Sequence, residues 1–131
     1  MAVVPDKYLD LLGAKKAFAN IATVMKDGTP QVTPVWFDYT GGKIRVNTAR
    51  GRVKSRTMRK GACIALSIMD PENPYRYLQI RGRVVNVTEN GADAHIDSLA
   101  NKYLGQNYPF RQAGEVRVLY EIEPTSAQAM G

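Results

Sequence analysis

The chain has 131 residues, 44% of them apolar and 23% charged, which fits one globular domain and excludes disordered and fibrous classes. A single cysteine, Cys63, excludes an intramolecular disulfide and fits a reducing compartment; a single histidine, His95, leaves too few ligands for a Cys/His zinc site. The net charge of +6 is uneven: residues 43–60 hold eight of the 18 basic residues and no Asp or Glu, which leaves 10 basic against 12 acidic residues elsewhere.

In chain order, Asp6–Lys16 reads as an amphipathic helix capped by Asp6, with Leu9, Leu12 and Lys16 or Tyr8, Leu11 and Leu12 along one stripe. Phe18–Met25 is a strand, Lys26–Thr29 a turn carrying Asp27-Gly28, and Pro30–Tyr39 a second strand, together a hairpin. Gly41-Gly42 turns the chain into a short strand, Lys43–Thr48. Arg52–Lys60 reads as a helix, and Ala62–Met69 as a half-buried strand with Ile64, Leu66 and Ile68 on one face. Asp70–Pro74 is a loop. Tyr75–Thr88 is a long strand that Gly82 interrupts with a bulge or bend. Ala92–Leu104 is a helix with Ile96, Leu99, Ala100, Tyr103 and Leu104 at helical spacing, Gly105–Gly114 a loop, and Val116–Ile122 the last strand. This order predicts a mostly β domain over residues 1–131, a small antiparallel barrel with a few peripheral helices.

No apolar run approaches the about 20 residues of a membrane span, and Met1–Lys7 lacks the basic start and apolar middle of a signal peptide. The expected location is the cytoplasm. His95 lies in a polar, helical stretch and is expected to be a packing or surface residue, so neither a histidine-based catalytic pair nor a haem ligand is expected from it.

The basic segment admits three readings. As a solvated helix face it carries like charges at helical spacing with no acid to offset them. As a nucleic-acid surface it lacks interleaved aromatics, and the rest of the chain is net acidic. As a small-anion site it has a strand ending at Asn47-Thr48, a glycine-containing loop and a basic helix start. There Arg52 and Lys54 offer charged donors and Thr48 and Ser55 offer hydroxyls. The third reading fits best, although neither GxxxxGK[ST] nor GxGxxG is present.

The runs Ile21–Phe37, Ile44–Thr48, Arg52–Arg56, Tyr77–Val85 and Val116–Pro124 resemble the pyridoxamine 5′-phosphate oxidase-like flavin-binding split-barrel superfamily. They are most similar to its short members that use the deazaflavin coenzyme F420. The hairpin pattern A-T-x-x-x-D-G-x-P (Ala22 to Pro30) and the R-x-K pair (Arg52, Lys54) are the most specific parts. The resemblance implies a six-stranded antiparallel split β-barrel and a homodimer with two cofactor sites at the subunit interface. It implies that Arg52 and Lys54 contact the cofactor phosphate, with Thr48, Ser55 and Arg56 nearby and Asn47 at the edge. It implies that Val35, Trp36 and Phe37 flank the cofactor ring, and that Tyr77 and Gln79 reach the cofactor of the partner subunit. F420 is the expected cofactor, because eight basic residues suit its phosphodiester and acidic tail; FMN, or a non-catalytic cofactor-binding role, is the alternative. The expected reaction is hydride transfer from reduced F420 to a conjugated or unsaturated acceptor, with no residue assigned as catalytic and no metal.

Overall fold

A computed structural model describes residues 3–131; Met1 and Ala2, part of the amino-terminal segment read above, lie outside them. The first element is a 3₁₀ helix, Asp6–Leu12, shorter than the predicted α-helix. It is stopped at Gly13, and Asp6 makes no capping hydrogen bond. Its Tyr8, Leu11 and Leu12 are buried and plug one end of the sheet structure. Arg76 holds this helix in place by donating to both carboxylate oxygens of Asp10 and to Lys7 O.

Seven strands and two α-helices follow: β1 (Ala19–Val24), β2 (Pro30–Val35), β3 (Asp38–Thr40), β4 (Lys43–Ala49), α1 (Val53–Thr57), β5 (Cys63–Asp70), β6 (Asn73–Thr88), α2 (Ala92–Leu104) and β7 (Arg117–Met130). The strands form one antiparallel sheet in the order β2-β1-β5-β6-β7-β4-β3. The predicted six strands become seven because Pro30–Tyr39 is not continuous. It breaks at Trp36-Phe37, and its two halves lie on opposite edges of the sheet.

This break dictates the architecture. Laid flat, seven strands would separate β2 from β3 by about 29 Å at 4.8 Å per strand. The three Cα steps from Val35 to Asp38 span at most about 11 Å. The sheet must therefore roll until its edges meet at the Trp36-Phe37 link, which makes it a barrel. Ile21, Phe37, Ile44, Val46, Leu66, Ile68, Leu78, Ile80, Tyr120 and Ile122 fill the interior.

Local chemistry fits each turn. Asp27 Oδ1 accepts from Thr29 N (3.0 Å) and Thr29 Oγ1 (2.6 Å), and Gly28 takes φ 89°, which closes the β1–β2 hairpin. Helix α2 begins after Gly91 and ends at Gly105, both left-handed, as its sequence predicts. It lays Ala92, His95, Ile96, Leu99 and Ala100 inward, and its contacts with β7 bury Arg117 and Leu119 on the strand's outer face.

The last strand runs eight residues beyond the predicted Ile122. Pro124 is tolerated because the ladder shifts there: Arg81 pairs with Ser126 and Gly82 with Pro124, which leaves Thr125 as the extra residue of a bulge. Gly82 is required by contact rather than by φ. A Cβ on it would stand 2.7 Å from Glu123 O and 2.9 Å from Ile122 Cγ2. Gly82→Ala is therefore expected to lower stability by about 1–3 kcal/mol, seen as a lower denaturant midpoint with an unchanged slope.

Candidate functional site

A cleft of about 270 Å³ opens where the ends of β2 and β4 meet α1, α2 and the loop after it. Val35 and Trp36, Asn47 and Thr48, and Arg52 and Lys54 all line it, so three separated predicted segments converge. Phe18, Pro34, Leu99 and Tyr108 complete the lining. The barrel closure brings Val35-Trp36 to the end of β4, and the five-residue helix α1 places Arg52 and Lys54 at the rim. The predicted Arg52–Lys60 helix is shortened to Val53–Thr57, so the cleft's positive character comes from side chains rather than from a long helix dipole.

The other predicted residues lie elsewhere. Phe37 is 0% exposed and belongs to the barrel core, because the bend turns it inward where Trp36 turns outward. Ser55 and Arg56 face the opposite side of α1, where they line a separate cavity of about 800 Å³ with Lys26 and Arg59. Ser55 Oγ is also engaged, accepting from Gly51 N (3.1 Å) and donating to Arg52 O (2.6 Å). Tyr77 and Gln79 sit on β6, on the side chain positions that alternate with the buried Leu78 and Ile80, away from this cleft.

Asn47 lines the cleft but spends its amide hydrogens inward. Its Nδ2 donates to Ala92 O (2.9 Å) and to His95 Nδ1 (3.1 Å), while its Oδ1 accepts from Arg117 Nε (2.8 Å). These partners fix the amide orientation and leave His95 with its proton on Nε2, which donates to Asp38 Oδ2 (3.1 Å). Asp38 in turn takes a bidentate pair from Arg45, at 2.7 and 2.8 Å. Burial alone would raise the Asp38 carboxyl; hydrogen bonds from His95 and Arg45 outweigh it and hold the group below its ordinary 3.8. His95 is thus a packing residue, as expected, and its polar contacts anchor the floor of the cleft. Sequence reading had no signal for this chain of contacts, because its members are spread from residue 38 to residue 117.

Beyond Arg117 lies Glu115. Its side chain is 7% exposed and that of Arg117 3%. Glu115 Oε1 sits 3.3 Å from Arg117 Nη1 and 3.5 Å from Arg52 Nη2. Neither contact is aligned as a hydrogen bond, and Glu115 Oε2 and Arg117 Nη1 have no hydrogen-bond partner.

The aromatic wall is rigid. Trp36 stacks on Tyr103 at 5.4 Å and 5°, Tyr108 meets Trp36 edge-on at 6.3 Å, and Phe18 meets Tyr103 edge-on at 5.2 Å. Tyr103 Oη donates to Ala17 O (2.6 Å), and burial pushes its phenol up to about 12. That hydroxyl is a fixture of the wall and a poor proton donor.

The structure also redistributes the basic segment. Acids from elsewhere in the chain pair with half of it: Lys43 with Glu123, Arg45 with Asp38, Arg50 with Glu89 and Arg52 with Glu115. Among the described residues no such ion pair is made by Lys54, Arg56, Arg59 or Lys60. These four cluster on and after α1. Burial, and then the neighbouring charge of Arg52, hold the Lys54 ammonium below its ordinary 10.5.

The profile of the family described as pyridoxamine 5′-phosphate oxidase matches residues 4–131. The chain belongs to this family. Among solved structures, an F420 reductase is 34% identical over 95% of this chain and 98% of that one, with a TM-score of 0.85. A pyridoxamine 5′-phosphate oxidase-like protein from Listeria innocua is 16% identical over 95% of each chain, with a TM-score of 0.71. A protein from Mycobacterium smegmatis that binds FAD and haem is 15% identical over 98% of this chain and 71% of that one, with a TM-score of 0.70. The last two likenesses establish the split-barrel fold. No curated protein matches. Among the described residues no helix is long and apolar enough to cross a membrane.

Two predictions follow from the cleft floor. Asn47→Ala leaves Arg117 Nε and His95 Nδ1 without their partner, and is expected to cost about 1–3 kcal/mol for each group left buried and unpaired, measured by chemical denaturation. The depressed Asp38 carboxyl contributes stability that is present above pH 3.8 and lost as pH falls past that value. Asp38→Asn should therefore be less stable than the native chain at neutral pH and lose less on acidification, read from denaturation midpoints between pH 3 and 7.

Proposed function

We propose that the chain is an F420H2-dependent reductase, acting as a homodimer, that passes a hydride from the reduced deazaflavin to a conjugated or unsaturated organic acceptor. The observation that carries this reading is the 34% identity to an F420 reductase along nearly the whole chain. The residues of the cleft fit the phosphate of such a cofactor. Arg52 and Lys54 supply charged donors, Thr48 a hydroxyl, and Lys54 has no counter-ion among the described residues. Arg56 and Arg59, which make no ion pair among the described residues, line with Lys26 the separate cavity on the other side of α1, and their charge suits the acidic tail that distinguishes F420 from FMN.

When bound, the cofactor supplies the hydride. The chain's part is to bind, orient and shield. Val35 and the Trp36–Tyr103 stack offer a flat, stiff wall for a ring, and the Asn47–His95–Asp38 contacts hold the end of β4 against it. A cleft of about 270 Å³ is too small to enclose a ring system and its side chain, which need roughly 300–1,000 Å³. A second copy would complete it. The face suited to that copy is the outer side of the sheet, where Val24, Val32 (64% exposed), Met69 and Met130 surround small Ala22, Ala65 and Ser67. Register ties this face to the cleft: Gln79 pairs with Ser67, Ser67 with Asn20, and Asn20 with the cleft residue Pro34. Tyr77 and Gln79 stand on this face, and in such a dimer they would reach the cofactor of the partner subunit.

The test is a fluorescence titration of the purified protein with F420 and with FMN. F420 is expected to bind; tight FMN binding with no response to F420 would contradict the reading. In Arg52→Ala with Lys54→Ala, affinity should fall by about 1.5–3 kcal/mol per lost charged hydrogen bond. Because the Lys54 ammonium is held below 10.5, native affinity should start to fall as pH rises toward, and before it reaches, that value. In Lys54→Arg that alkaline loss should disappear.

A further inference from the structure

The phosphate ligand Arg52 is not free: it rests against a buried carboxylate. Glu115 Oε1 lies between the Arg52 and Arg117 guanidiniums, at 3.5 and 3.3 Å, and hydrogen-bonds to neither. Glu115 Oε2 and Arg117 Nη1 are buried without partners. A carboxylate in that position is poorly satisfied, and its contact with the half-exposed Arg52 is loose. A small turn of Glu115 away from Arg52 would let it pair with Arg117 through both oxygens and satisfy both orphaned atoms at once. What would then replace it on Arg52 is an anion in the cleft.

We propose that Glu115 is an internal competitor for the cofactor phosphate: it occupies Arg52 in the free protein and hands it over when the phosphate arrives, closing onto Arg117 instead. Arg117 stays in place through the exchange, because its Nε is held by Asn47 Oδ1 and its guanidinium stacks over the Tyr108 ring at 5.1 Å. Glu115 therefore acts through Arg52, as a positioning residue that sets affinity and release. The consequence has a sign that a purely structural role does not predict. Removing the Glu115 charge should tighten anion binding, although it weakens the fold around Arg117.

This inference rests on the proposal that a phosphate binds at Arg52, and calorimetric titration with inorganic pyrophosphate and with F420 separates the two. In Glu115→Gln both ligands should bind about two- to fivefold tighter, the worth of one loose ion pair. The gain should vanish when Arg52→Ala is added. Glu115→Asp, which keeps a charge beside Arg117 but withdraws it from Arg52, should fold even if Glu115→Gln does not, and should give a smaller gain. Unchanged or weaker binding in the folded variants overturns the inference. A gain with pyrophosphate alone, F420 failing to bind, keeps it and overturns the cofactor reading. No binding of either ligand to the native protein overturns both.

Discussion

The structure depends on a two-residue link. Trp36 and Phe37 join strands that lie on opposite edges of the sheet, and this short tether leaves closure as the only solution. The same bend divides the labour of two adjacent aromatics. Phe37 enters the core, where it packs with Ile44 and Tyr120, while Trp36 turns out to stack on Tyr103 and form one wall of the cleft. Fold closure and site formation are one event: without the bend, the end of β2 would not lie beside Asn47, Thr48 and the basic helix that follows them.

Electrostatics then decides what the cleft accepts. A run of eight basic residues looks indiscriminate in one dimension. Folding brings acids from β3, β7 and two connecting segments against four of these residues, and leaves Lys54, Arg56, Arg59 and Lys60 around one short helix. The surviving charge is compact, split between a cleft with an aromatic wall and a neighbouring cavity. That geometry suits a small ligand with a phosphate and further acidic groups, and suits an extended polyanion poorly. The partly buried chain from Arg45 through Asp38, His95 and Asn47 to Arg117 and Glu115 fixes the cleft's floor from behind.

Much of this was legible in the sequence, where the signal was local. Strand faces such as Ile64, Leu66 and Ile68, the Asp27-Gly28 hairpin and the boundaries of α2 all follow from periodicity or from residues a few positions apart. The break at Trp36-Phe37 was not legible, since Pro30–Tyr39 alternates well enough for one strand; only closure of the sheet demands a bend. The end of β7 was missed because Pro124 reads as a terminator until its bulge partner Gly82 is known. Asn47 lines the cleft, but the inward direction of its amide depends on Ala92, His95 and Arg117, which are far away in sequence. Glu115 gave no signal, as its meaning comes from two arginines 63 residues before it and two after.

The deciding measurement is a crystal structure of the protein grown with F420. It should show a two-fold dimer through the outer sheet face, the phosphate against Arg52 and Lys54, the ring beside Val35 and Trp36, and Glu115 drawn onto Arg117. A monomer, or F420 bound away from the cleft between β2 and β4, would contradict it.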